Sequence, residues 1–265
     1  MACLADGGPE FQDCWLLYLD LLGMSEAMTG ESKAKSILSS YLEFRKSLPD
    51  TFRLPESVRQ KESDAEWRDL SEGYKEFIPE GLMALSDSIF YHFRASAELA
   101  MSTADLKFAV LYPLRHILQW AWNQQLPMRG TISRGLFHIS QDKSVFFGPP
   151  VPKAVRWEEL QEWPWISVEP GIASLHEISE TTKARLLVPY HVPTKDGPIN
   201  TYALNPSLAF ESQEVCQNLF CQNWKDAYKT SDLKKIRMWS NVLVFFRHCG
   251  VKLPGLSDAE LALLQ

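Results

Sequence analysis

Residues 13–22, DCWLLYLDLL, are almost continuously apolar and short. That pattern predicts a strand buried on both faces. Gly23 breaks the run, and the stretch up to residue 48 takes helical spacing, with Ala34, Ile37, Leu38, Tyr41 and Leu42 on one face. Residues 49–81 are polar and highly charged, which predicts an exposed excursion with one strand near 75–78. LMALSDSIFYHF, 82–93, divides into two strand halves around Ser86 and Asp87. In its second half Ile89, Tyr91 and Phe93 alternate with Phe90, His92 and Arg94, and most of these are good strand formers. A long apolar stripe over 103–125 predicts a helix, with Thr103 as N-cap and a kink at Pro113.

Residues 126–140 return to strand character, and SVFFG, 144–148, is a second short strand. The prolines at 149 and 150 suit the first turn of a helix running to 160. A short strand follows at 165–168, then ARLLVPYHV and NTYALN as two strands joined by a turn holding Pro, Lys, Asp and Gly. The last 60 residues read as helical. The order predicts an α+β sandwich, one mixed sheet with helices on one face. Residues 10–205 form its body, and 206–265 are a helical appendage of the same domain.

The chain has 265 residues, 45% of them hydrophobic and 23% charged, which is ample for a buried core. A net charge of −6 argues against nonspecific nucleic-acid binding. A small anionic ligand would then need a metal or a local basic group. The five cysteines are scattered without metal-ligand spacing, and a reduced, cytoplasmic protein is expected. The N-terminus shows no basic-then-apolar leader, and no apolar run reaches the roughly 18 residues of a membrane span.

Asp20 is the residue this pattern does not explain. A lone buried charge costs several kcal/mol, so it is either half exposed at the strand end or provided with a cation. If the 82–93 hairpin neighbours the first strand, Asp87 converges on Asp20. Two carboxylates at one strand end repel unless a proton or a divalent cation joins them. Oxygen-only ligands suit Mg²⁺ or Mn²⁺. Backbone amides of Leu22, Gly23, Met24 and Ser25, at the start of the next helix, would offer a phosphate seat. The plainer alternative makes Asp20 and Asp87 turn residues. Arg156, on the 149–160 helix, is a permanent cation that could reach a phosphate. Its plainer role is a surface ion pair with Glu159 or Glu162.

Taken in order, these stretches resemble the class III nucleotidyl cyclase domain. Its F-x-D-I-x-G-F-S/T stretch is matched by YLDLLGMS, and its G-D hairpin by Ser86 and Asp87. Its R-x-G-I-x-x-G is matched by the run from Arg129 to Gly135. Its G-x-x-V-N-x-A-x-R-L-E is matched by Gly148, Val151, Pro152, Ala154, Arg156 and Glu158. The resemblance spans about 14–160 and implies a homodimer with interface active sites. It also implies two Mn²⁺ or Mg²⁺ ions on Asp20 and Asp87 with help from the Leu21 carbonyl, and Arg156 of one protomer serving the other's site.

The departures are informative. Pro152 stands where the family has a ribose-orienting Asn, and Met83 and Val145 stand where it reads a purine. A site lacking those polar groups disfavours the purine. In this the chain is similar to the pyrimidine cyclases of bacterial Pycsar antiphage defence. That similarity implies conversion of UTP, or else CTP, to the cyclic monophosphate, read by a separate effector, with no nucleic acid or membrane as partner. The alternatives are a catalytically inactive cyclase-fold module that binds nucleotide, and a palm-type cyclase. ALSDSI lacks the GG[DE]EF-type hairpin of the latter.

Overall fold

The computed structural model describes residues 11–22, 30–51, 81–85, 87–140, 146–209 and 216–264. Its central strand is β1 (Gln12–Leu21), buried without interruption from Cys14 to Leu19. The alternation of a strand explains the continuous apolar run. Trp15, Leu17 and Leu19 enter the main core, while Leu16 and Tyr18 pack with Ala154 in a second cluster. Both faces of β1 are therefore covered. Helices lie on both sides of the sheet here, not on one as the element order suggested.

β1 pairs antiparallel with β3 (Ser88–Arg94) on one side and β4 (Met128–Ile139) on the other. β2 (Gly81–Leu85) forms the hairpin with β3. β6 (Ile166–Val168) runs parallel to β4, and β8 (Ile199–Leu204) and β7 (Leu187–Val192) complete the order β2-β3-β1-β4-β6-β8-β7. The two-residue β5 (Phe146–Phe147) pairs with the end of β4. The sheet is mixed and the chain is α+β, as the sequence predicts.

α1 (Glu31–Thr51) buries Ile37 and Phe44, and Phe44 stacks on Trp120 at 4.4 Å between ring centroids. Leu38 and Leu42, predicted on the same face, are exposed. The next helix begins at Leu99, not Thr103: α2 (Leu99–Ala104) has Thr103 inside it, its hydroxyl donating to the Leu99 carbonyl at 2.9 Å. The helix widens to π geometry over Asp105–Leu111 and continues as α3 (Tyr112–Asn123). Pro113 cannot donate to the carbonyl four residues back, that of Ala109. The buried Tyr91 hydroxyl donates to that carbonyl instead.

α4 (Pro150–Leu160) starts at a proline as expected. Gly148, just before it, lies so close to β4 that a Cβ would sit 2.4 Å from the Leu136 carbonyl. α5 (His176–Lys183) was not legible from periodicity. The C-terminal segment holds α6 (Pro206–Ala209), a π segment (Cys216–Cys221), α7 (Gln222–Lys229), α8 (Leu233–His248) and α9 (Asp258–Ala262). These helices share the sheet's core: Trp165 packs edge-on against Phe246 at 4.7 Å and stacks with Trp122 at 5.8 Å. The expected strand near 75–78 lies outside the described residues.

Candidate functional site

Asp20 is the penultimate residue of β1, opposite Ser88 on β3 and Arg129 on β4. The β2–β3 turn places Asp87 immediately before Ser88, and the Leu21 amide donates to the Asp87 carbonyl at 2.9 Å. The two acids predicted to converge are therefore brought together by register. Gly130 permits the close approach of β4 beside them, since a Cβ there would lie 2.6 Å from the Tyr18 carbonyl. Tyr18 lies on the same face as Asp20 and shares a 3.1 Å hydrogen bond with Ser88.

Asp20 is half-buried, and its carboxyl is raised from the ordinary aspartate value. Burial is the main cause, the nearby Asp87 charge adds to it, and Arg129 opposes it. Arg129 approaches to 4.0 Å, Nη2 to Oδ2. Its Nε donates to Glu158 on α4 and its Nη1 donates to the Gln161 carbonyl at 3.1 Å. Glu158 is buried and its carboxyl is also raised, mainly by burial, with Arg129 opposing and Asp20 adding. Among the described residues this corner thus sets two carboxylates, Asp20 and Glu158, about the Arg129 guanidinium, with Asp87 close to Asp20. The donor set is oxygen and the local charge is negative, which suits a hard divalent cation. Asp20 and Asp87 are the residues that could hold one. No cluster of three or more metal-type side chains occurs among the described residues, so further ligands would come from backbone, water or substrate.

The other predicted positions are distributed differently. The Leu22 amide is already donated to the Pro127 carbonyl at 2.8 Å, so it is not a phosphate donor, which corrects the expectation for that residue. Gly23, Met24, Ser25 and Val145 lie outside the described residues. Met83 is on β2, in register with Phe90. Arg156 is exposed on α4, and Glu162, one of its suggested surface partners, pairs with Arg237 instead. Arg129 and Glu158 received no role from the sequence beyond their motif positions. The signal that could have found them is a buried-side glutamate one helix after an arginine at a strand start.

No family model and no curated protein sequence matches the chain. Solved structures similar to it include the adenylyl cyclase CyaB from P. aeruginosa, at 14% identity and a TM-score of 0.40, covering 75% of this chain and 96% of that one. The guanylyl cyclase Cya2 is similar at 16% identity and a TM-score of 0.37, covering 75% of this chain and 93% of that one. The catalytic core of a rhodopsin-guanylyl cyclase in complex with ATPalphaS is similar at 12% identity and a TM-score of 0.40, covering 73% and 96%. The likeness is distant, and the chemistry of the corner itself has to carry any functional reading.

Proposed function

We propose that the chain is a metal-dependent nucleotidyl cyclase that closes a pyrimidine nucleoside triphosphate, UTP ahead of CTP, to its 3′,5′-cyclic monophosphate. The observation that carries this is the convergence of Asp20 and Asp87 at the end of the central strand, where Asp20 pairs with Ser88 and the Leu21 amide donates to the Asp87 carbonyl. The reaction joins the ribose 3′ oxygen to the α-phosphorus and releases pyrophosphate. Divalent cations, Mn²⁺ or Mg²⁺ and two per site, would supply acidification of the 3′-hydroxyl and neutralisation of the triphosphate when bound. The chain's own part is to hold them: Asp20 and Asp87 by carboxylates, and Leu21 by its carbonyl.

Residues 23–25 would seat phosphate oxygens with backbone amides. Arg156, exposed on α4, would reach the site of a second protomer and stabilise charge building on the phosphoryl oxygens. Met83 and Val145, apolar where a purine reader needs hydrogen bonds, support the pyrimidine choice. The product would act as a messenger in antiphage defence, read by a separate effector. No helix among the described residues is long and apolar enough to cross a membrane.

The test is incubation of the protein with Mn²⁺ and each of the four ribonucleoside triphosphates separately, with products resolved by mass. A cyclic pyrimidine nucleotide supports the reading and identifies the base. A cyclic purine nucleotide keeps the metal site and removes the argument from Met83 and Val145. Triphosphate binding without product from any of the four points to the inactive nucleotide-binding module.

A further inference from the structure

Arg129 and Asp20 are directly opposed residues of neighbouring strands, placed for side-chain contact on one face. An arginine and a carboxylate so placed favour a bidentate pair with two parallel hydrogen bonds. They do not form one. The 4.0 Å between Nη2 and Oδ2 is outside hydrogen-bond range. The guanidinium is held from its other side, by Glu158 at Nε and by the Gln161 carbonyl at Nη1. Glu158 is only 3% exposed, so water does not loosen this grip.

Gln161 is itself fixed. Its side-chain nitrogen donates to the Gly130 carbonyl at 3.1 Å and to Thr131 Oγ1 at 3.3 Å. Its Oε1 accepts from Trp163 Nε1 at 2.8 Å and from Ser167 Oγ at 2.9 Å. A buried polar network satisfied in this way is rigid.

We propose that Glu158 and Arg129 are positioning residues, with Glu158 holding the guanidinium back so that the Asp20 oxygens stay open to a divalent cation. The inference rests on the metal reading of Asp20 given above. Released from Glu158, Arg129 closes on Asp20, takes both oxygens in a bidentate pair and competes with the cation. The same helix, α4, carries Arg156 two residues before Glu158, so the restraint also fixes that helix against β4.

The experiment uses Mn²⁺ alone as probe, titrated calorimetrically into the wild-type chain, Glu158→Gln, and the double variant Glu158→Gln with Arg129→Gln. Crystal structures of wild type and Glu158→Gln accompany it. Glu158→Gln is expected to weaken Mn²⁺ binding by about tenfold or more, the usual effect of losing a partner behind a ligand. The double variant is expected to recover most of that loss, because no guanidinium remains to occupy Asp20. A merely structural role for Glu158 gives no such recovery.

In the Glu158→Gln crystal, Arg129 should hydrogen-bond both Asp20 oxygens. Unchanged Mn²⁺ affinity in Glu158→Gln, or no recovery in the double variant, overturns the proposal. Wild type that binds no Mn²⁺ removes the metal reading instead. The crystal comparison then still decides the clamp, and an Arg129 that has not moved overturns it. If Glu158→Gln does not fold, Glu158→Asp, one methylene shorter, is read in the same two ways.

Discussion

Two arginines of β4 hold the two ends of its pairing with β1, and they do so with opposite electrostatic outcomes. Arg134, opposite Trp15, donates from Nε and Nη2 to Asp13 at 3.0 and 2.8 Å and from Nη1 to Glu177 on α5. Ser102 on α2 donates to the same Glu177 at 2.8 Å, and the guanidinium lies over the Trp15 ring, 4.9 Å from its centre. Burial pushes Glu177 up, but hydrogen bonds from the backbone, Arg134 and Ser102 outweigh it and hold its carboxyl low. At the other end Arg129 serves Glu158 and stands off from Asp20, and both carboxyls are raised. The first cluster is complete and ties β1, β4, α2 and α5 together. The second has one guanidinium for two carboxylates and hydrogen-bonds only Glu158, which leaves Asp20 available to the proposed metal ion.

Removing the complete cluster's arginine should have the largest effect. Arg134→Met leaves Glu177 buried and uncompensated, and a loss of about 3–5 kcal/mol is expected in urea denaturation. Arg129→Met should cost less, because Arg129 hydrogen-bonds one carboxylate, Glu158, where Arg134 hydrogen-bonds two, Asp13 and Glu177. Equal losses would erase the contrast between the two ends.

Asp20→Asn comes next, with cyclase turnover reduced by more than about 100-fold while the folded state is as stable as wild type or more so. A variant near wild-type turnover with Mn²⁺ removes Asp20 from the site.

A smaller effect separates the ends by ligand. Mn²⁺ at about 100 times its dissociation constant should add about 2–3 kcal/mol to wild-type stability. That gain should vanish in Asp20→Asn and persist in Glu177→Gln. A gain that survives in Asp20→Asn places the cation elsewhere.

The smallest effect is in pH dependence, where the two glutamates have opposite signs. Glu177, held low, stabilises the fold above its unfolded value of about 4.5, and that contribution is lost as pH falls through its folded value. Glu158, held high, takes up a proton on folding between about 4.5 and its folded value. Its contribution therefore improves as pH falls into that window and is lost as pH rises through it. Urea midpoints against pH should lose the acid-side gain in Glu158→Gln and lose part of the acid-side fall in Glu177→Gln. Parallel curves for the two variants would contradict the assignment.

The buried central strand and the 82–93 hairpin were legible because their patterns are local: an unbroken apolar run and a two-residue period about a turn. The convergence of Asp20 with Asp87 followed once those strands were set side by side. The start of α2 was missed because Thr103 resembles an N-cap while its hydroxyl bonds back inside the helix. Leu38 and Leu42 have the right helical spacing but no neighbour to cover them among the described residues, and α5 is too short and polar for a clear stripe.

Sequence alone determined the strand and hairpin that carry the two acids, since side-chain alternation and turn chemistry act within a few residues. Only the tertiary structure decided which arginine is shared by which carboxylates. That choice depends on the register of β1 against β4 and on α4 bringing Glu158 across the sheet, contacts between residues 29 positions apart or more. It is a competition between oxygens for one guanidinium, and no local pattern records who wins it.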